Sequence, residues 1–256
     1  MSELMNLAGR RALVTGASGN IGRGIARRLA EAGADVVVHY FRDEAGARRT
    51  ADEITAADGK ADVVRADLSS EEAACRLFDE LSAGNRAITC VVNNAAAQPV
   101  QPLPEMTGQA WRDMPAATLD SAFHVSQAAA GYLRKNRLPG SVVNIASIEG
   151  TDPAVGHAHY ASSKAGLLML TRACALEYGE DGIRFNAVSP GLIDREGLTE
   201  SWPDGVRRWL DKAPLRRMVD AMDVSDAVLF LLSPAARWIS GANLVVDGGM
   251  SAVSRW

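Results

Sequence analysis

Tyr160 and Lys164 stand four residues apart, and Ser147 lies thirteen residues before the tyrosine. On a helix, a spacing of four puts both side chains on one face. A free phenol titrates near pH ~10, too high for ready exchange at neutral pH. A lysine ammonium beside it stabilises the phenolate and lowers that value. A phenol tuned in this way trades a proton with a carbonyl or alcohol oxygen. A serine hydroxyl can bond the same oxygen and stabilise charge growing there. By itself the Tyr-x-x-x-Lys spacing also describes an exposed helix, so the surrounding elements must decide.

The segment Thr15-Gly16-Ala17-Ser18-Gly19-Asn20-Ile21-Gly22 follows an apolar run and opens a helical stretch. Gly16 permits a tight turn, and the other small residues let backbone N–H groups approach a pyrophosphate. A helix N-terminus favours such an anion electrostatically. Asn20 is one of the few residues that tolerate a positive φ. Placed between strand and helix near the start of the chain, the turn reads as a nucleotide site.

Strand and helix patterns alternate along the 256 residues. β-rich apolar runs occupy Arg11–Thr15, Asp35–Tyr40, Asp62–Ala66, Ile88–Val92, Ser141–Ala146, Arg184–Val188 and Asn243–Val246. Most are continuously apolar, as for strands buried on both faces. Helical stretches fall at Ile21–Ala32, Glu44–Ala57, Glu71–Ala83, Ala117–Lys135, Tyr160–Tyr178 and Val224–Leu232. Gly33, Gly59, Gly84, Gly140 and Gly182 follow helix ends, where a left-handed residue is wanted. The alternation predicts an α/β fold: one doubly wound domain over residues 1–256, its seven-stranded parallel sheet covered by helices on both faces. Two irregular stretches, Gln98–Thr107 and Gly191–Pro214, follow strand ends, where open α/β sheets bind ligands. Residues 191–214 are expected to form a substrate loop; a surface helix with its own apolar cluster fits that stretch equally well.

Further motifs fall in a recognisable order. Asn93-Asn94-Ala95-Ala96 follows the fourth strand, and Asn144-Ile145-Ala146-Ser147 ends the fifth. Asn186-Ala187-Val188-Ser189-Pro190-Gly191-Leu192-Ile193 and Asp247-Gly248-Gly249 come later. With the glycine turn and Tyr160-x-x-x-Lys164, this series resembles the classical short-chain dehydrogenase/reductase family from about Leu7 to Gly249. Two family glycines are replaced, by Asn20 in the TGxxxGxG turn and by Ala96 in the NNAG motif. The resemblance implies a Rossmann-type fold and hydride transfer between a nicotinamide cofactor and a carbonyl or secondary alcohol. It implies that Ser147, Tyr160 and Lys164 are catalytic. It implies cofactor contacts from Gly16, Ser18, Asn20, Ile21, Gly22, Arg42, Asp67, Leu68, Asn94, Tyr160, Lys164, Pro190, Gly191 and Ile193. It further implies a homodimer or homotetramer, built on the Ala- and Leu-rich helices at 117–135 and 160–178.

The second strand indicates which nicotinamide. NAD-preferring relatives end it with an acidic residue on the ribose hydroxyls. Here Val38-His39-Tyr40-Phe41-Arg42 carries no carboxylate, and Asp43 falls at a helix start. Arg42 suits a 2′-phosphate, with Arg23 a second candidate, so NADP is expected ahead of NAD. Two departures stand out. Thr118 occupies the position where the family commonly has an asparagine that links the lysine to solvent, so an altered proton relay is expected. Arg195 replaces a common threonine and reads as an exposed loop arginine, with contact to an anionic substrate group or a cofactor phosphate as the alternative. Gln98, Glu149, His157 and Trp202 are candidate pocket residues.

Composition excludes several classes. A net charge of −4 offers no basic excess for nucleic acid. No apolar run reaches the roughly 18 residues of a membrane span. The start, Met1-Ser2-Glu3-Leu4-Met5-Asn6, shows no signal-peptide pattern. Cys75, Cys90 and Cys174 form no pair, and the four histidines no metal spacing. The expectation is a cytoplasmic protein without metal that acts on a small-molecule carbonyl or alcohol. A cofactor-binding regulator or scaffold without redox turnover is the alternative, and dehydration or epimerisation at the same site a third reading.

Overall fold

The computed structural model describes residues 3–82 and 87–254. Among them, seven strands form one parallel sheet: β1 (Arg11–Val14), β2 (Asp35–Tyr40), β3 (Lys60–Arg65), β4 (Ile88–Asn93), β5 (Gly140–Ile145), β6 (Ile183–Pro190) and β7 (Asn243–Val246). Their order is β3-β2-β1-β4-β5-β6-β7, and every pairing is parallel. The order reverses between β1 and β4, which opens a crevice at the carboxyl ends of those two strands.

Side chains alternate between two cores, as a pleat with period two requires. Ala12, Val14, Val36, Val38, Val92 and Val143 face one layer, packed on Ile25 and Leu29 of α1 (Asn20–Glu31), Ile54 of α2 (Glu44–Ala56) and Val228 of α9 (Ala221–Leu232). Leu13, Val37, Val91, Val142 and Phe185 face the other layer. There they meet Phe78 of α3 (Glu71–Ser82), Val125 and Leu133 of α5 (Ser121–Asn136), and Cys174 of α6 (Ala158–Glu177). Burial on both faces explains why β1, β2, β4, β5 and β6 read as nearly unbroken apolar runs, while the edge strands β3 and β7 are more exposed. No helix of the described residues is long and apolar enough to cross a membrane.

Helix ends depart from expectation in informative ways. Gly33 (φ 92°) and Gly182 (φ 73°) take the left-handed conformation as expected. Beside Gly59 and Gly140 the conformation falls instead on Asp58 (φ 60°) and Arg137 (φ 54°). Those two glycines answer to space: a Cβ on Gly59 would come within 2.7 Å of Ile54, and one on Gly140 would strike Leu133. Gly84 lies outside the described residues.

The helix expected from Ala117 begins earlier. α4 (Gly108–Pro115) runs into one π-turn, Ala116–Asp120, and then into α5. Pro115 lacks an N–H and interrupts the i→i−4 ladder just before the widened turn. The stretch after β6 is also more regular than its sequence suggests. It holds α7 (Leu198–Ser201) and α8 (Pro203–Lys212), the latter packed on the sheet layer through Trp209.

Candidate active site

The glycine turn joins β1 to α1 beside the crevice. Gly16 has φ 62°, and a Cβ there would come 2.9 Å from the Ala95 backbone. A Cβ on Gly22 would come 2.6 Å from the Asn94 amide and collide with the Gly16 carbonyl. These two glycines are therefore fixed by packing. Gly19 differs, because a Cβ there meets nothing within 4 Å. Asn20 adopts φ 47°, the conformation its side chain tolerates. Side chains cap α2 (Asp43 accepts from Gly46 N–H, 2.9 Å) and α4 (Thr107 accepts from Ala110 N–H, 3.1 Å). No side chain caps α1 at Gly19. An uncapped helix N-terminus beneath open space fits the pyrophosphate of a dinucleotide, with Ser18, Asn20 and Ile21 presenting its backbone.

Three residues hold that turn. The Asn94 side-chain amide donates to the carbonyls of Thr15 (2.9 Å) and Gly16 (3.0 Å). Thr15 Oγ1 accepts from the N–H groups of Asn94 and Ala95. His39 is the third, and its role was not read from the sequence. Gly16 N–H donates to its Nδ1 at 3.2 Å, so Nε2 carries the proton and donates to the Ala66 carbonyl at 3.1 Å. Burial pushes the imidazole down to about 4, against the opposing effect of the Ala66 hydrogen bond, and it stays neutral. The legible signal was a polar residue near the end of an otherwise apolar strand.

At the end of β2 the Arg42 guanidinium lies over the Phe41 ring, 5.4 Å from its centroid, and is exposed. Asp43 is committed to capping α2, so no carboxylate competes at the strand end. Arg23 is turned away: its Nε lies 3.6 Å from Glu53 on α2. Asp67 accepts from the N–H and hydroxyl of Ser69, and Leu68 is buried with its carbonyl 3.1 Å from His124 Nδ1.

Ser147, Tyr160 and Lys164 come together at the ends of β5 and the first turns of α6, all buried. Ser147 Oγ accepts from Glu149 N–H at 3.1 Å and stands near enough to the Tyr160 phenol to favour its ionised form. Lys164 Nζ lies 5.5 Å from the Tyr160 ring centroid and donates to the Ile145 carbonyl at 2.6 Å. The lowering expected for Tyr160 is not what this arrangement produces. Burial pushes the phenol up to about 12, eased by Ser147 and reinforced by the negative charge of Glu149. Burial also pushes Lys164 down to about 7, which removes much of the positive charge meant to act on the phenol. Asn93 and Asn144 brace the strands beneath, joined at 2.8 Å and extended to Ser126 and Thr171.

Thr118 is buried in the π-turn, and its hydroxyl donates to Met114 Sδ at 3.7 Å rather than toward Lys164. Gly191 N–H donates to the Val246 carbonyl (2.9 Å), and Ile193 bridges to Val219, which fixes Pro190, Gly191 and Ile193 at the carboxyl end of β6. Glu149 and His157 flank Ser147 and Tyr160, with Gln98 reaching Glu149. Trp202 instead packs on Gly205 and Arg208 of α8, the helix it precedes. Arg195 is exposed. Among the described residues no cluster of metal-binding side chains occurs.

A doubly wound parallel sheet, a bare glycine turn at its reversal point and a buried Ser–Tyr–Lys set together define a nicotinamide-dependent oxidoreductase. Residues 16–251 match the family described as enoyl-(acyl carrier protein) reductase. The chain is 35% identical over 248 residues to glucose 1-dehydrogenase 2 of Bacillus subtilis, covering 96% of each. It is 30% identical to the crystal structure of a gluconate 5-dehydrogenase from Burkholderia cenocepacia in complex with NADP and tartrate (TM-score 0.92; 98% of this chain and 99% of that one). A short-chain type dehydrogenase/reductase from Mycobacterium marinum is 32% identical, with a TM-score of 0.89 and coverage of 98% and 99%. The chain belongs to the classical short-chain dehydrogenase/reductase family. Its activity is NAD(P)-dependent oxidoreduction, and the alternative of a binding protein without turnover finds no support.

Proposed function

We propose that the protein is an NADP(H)-preferring carbonyl reductase/alcohol dehydrogenase with Ser147, Tyr160 and Lys164 as its catalytic residues. The observation that carries this is the convergence of three buried side chains, Ser147 after β5 and, on α6, Tyr160 with Lys164 Nζ 5.5 Å from its ring centroid. When bound, the cofactor supplies the hydride that forms the new C–H bond. Ser147 holds the substrate oxygen, and Tyr160 delivers its phenolic proton to it. With its phenol pushed up to about 12, Tyr160 carries at neutral pH the proton that a reduction consumes, and a raised phenol releases it less readily than one tuned toward neutrality. Lys164 holds the nicotinamide ribose, and the fraction of it that stays charged near neutrality favours the phenolate.

NADP preference rests on Arg42 at the end of β2, where no carboxylate stands, and on the NADP in the Burkholderia cenocepacia relative. Residues 1–256 act as one domain, with 191–214 as its substrate loop. Exposed apolar side chains on α5 and α6 (Phe123, Met169, Leu176) and at β7 (Leu244, Val245) support self-association as a homodimer or homotetramer. Three free thiols fit the cytoplasm.

The test is oxidation of NADPH and NADH against ketones, keto sugars, β-ketoacyl thioesters and steroids. Turnover with NADPH at least tenfold better in kcat/KM is expected, and Arg42→Ala should erase most of that margin. Tyr160→Phe should lower kcat by about 10²–10⁴ with cofactor affinity kept within threefold. Tight cofactor binding without turnover of any substrate would sink the reading.

A further inference from the structure

Glu149 and His157 form a polar pair at the mouth of the site that the chemistry above leaves unused. His157 Nδ1 lies 2.8 Å from Glu149 Oε2, and their side chains are only 16% and 15% exposed. Glu149 sits two residues beyond Ser147 and bonds its hydroxyl through the backbone. The His157 ring meets the Tyr160 ring edge-on at 6.0 Å. Whatever carbon Ser147 and Tyr160 hold therefore has this pair as a neighbour.

The pair's bonding capacity is half spent. Glu149 Oε1 has one loose contact, from the Gln98 amide at 3.5 Å. His157 Nε2 has no hydrogen-bond partner among the described residues. With Nδ1 committed to the carboxylate, His157 leaves Nε2 for a ligand, beside the free capacity of Glu149 Oε1. An acceptor, a ring nitrogen and an amide donor side by side match groups that both donate and accept, which hydroxyls do. A hydrocarbon edge placed here would strand all three. A carboxylate would meet an acceptor of like charge.

We propose that Glu149 and His157 determine specificity for a neutral polyhydroxylated substrate, by binding a hydroxyl on the carbon next to the one that reacts. The inference rests on the oxidoreductase reading given above and names the substrate class of that same site. It distinguishes vicinal diols from lone secondary alcohols, from acids and from extended apolar substrates.

The test compares oxidation, with NADP⁺, of matched pairs: 1,2-cyclohexanediol against cyclohexanol, and 2,3-butanediol against 2-butanol. Gluconate and 2-aminocyclohexanol serve as the charged arms. The wild type should favour each diol by 10- to 100-fold in kcat/KM. Glu149→Gln and His157→Phe should each bring that ratio within about threefold. The ratio is the readout because Glu149 also acts electrostatically on Tyr160, which moves both members of a pair together. A merely structural role would lower both rates and leave the ratio standing. An equal or reversed preference in the wild type, a preference for gluconate or the amino alcohol, or an unchanged ratio in both variants would overturn this inference alone. No turnover of any member would remove the oxidoreductase reading and this inference with it.

Discussion

Lys164 Nζ donates to the carbonyl oxygen of Ile145 at 2.6 Å, fastening the lysine of α6 to the strand that delivers Ser147. The lysine is 2% exposed, and burial pushes it down to about 7. The unfolded chain keeps that proton up to about pH 10.5. Between those values the unfolded state binds more protons than the native one, so stability rises with pH. Tyr160 opposes this above pH ~10, because the native phenol holds its proton to about 12 while the unfolded one releases it. The expected gain thus lies between pH 7 and 10. Melting temperatures of the cofactor-free protein at pH 7.0, 8.0 and 9.0 should climb more steeply for wild type than for Lys164→Met. Parallel curves would show that Lys164 is not a buried, titrating amine.

His39 joins the glycine turn to the end of β3 through Gly16 N–H and the Ala66 carbonyl. His39→Leu leaves both groups without that partner, at about 1–3 kcal/mol for each that stays buried. Urea unfolding at pH 7 should show the loss, and NADPH affinity should fall at least tenfold as the turn loosens. The acid limb supplies a second reading. The unfolded imidazole takes a proton near pH 6.5 and the native one only near 4, so wild-type stability falls as pH drops through that window. His39→Leu removes this contribution. Unaltered cofactor affinity in the variant would show that the turn stands without its histidine.

Much of this was legible in the sequence, and the failures have physical causes. The five inner strands were visible because both faces are buried, as at Val36–Val38, where no polar alternation interrupts the run. The glycine turn and the Ser147, Tyr160 and Lys164 positions were legible because each needs a particular residue type at a particular spacing. Asp58 and Arg137 were missed because glycine was credited with a conformation that a residue one to three positions earlier carries. The π-turn around Thr118 is a change in hydrogen-bond register, which periodicity over a few residues does not reveal. The sign of the Tyr160 shift was misjudged because spacing reports a neighbouring charge and is blind to burial, the larger effect here.

Thr118 holds the position from which a relay to Lys164 was expected, yet its hydroxyl bonds Met114 Sδ on the adjoining turn. Sulfur is a weak acceptor, so Thr118→Val, which preserves shape, loses little. Turnover should stay within threefold of wild type, and the pH profile of kcat should not move. A drop of more than tenfold, or a displaced pH profile, would restore Thr118 to the relay and imply a solvent path through the π-turn.

Gly191 and Trp209 couple α8 to the end of β6. Trp209 is 9% exposed and its indole N–H donates to the Arg217 carbonyl at 3.0 Å. A Cβ on Gly191 would strike the far edge of that indole and come 3.0 Å from the Asp247 Cβ. Gly191→Ala must therefore displace the ring and α8 with it, an overpacking cost of about 1–3 kcal/mol. Trp209→Leu vacates the space at its own cost in lost packing. Because one clash serves both changes, the double variant should be less destabilised than the sum of the two by about 1 kcal/mol or more, the size of coupling seen between touching residues. Urea unfolding of the four proteins measures the cycle. The same relief should appear in KM for the alcohol substrate, raised in Gly191→Ala and partly restored in the double variant. Strict additivity would mean that the alanine is accommodated elsewhere, and that Trp209 does not set the position of the Pro190–Ile193 segment.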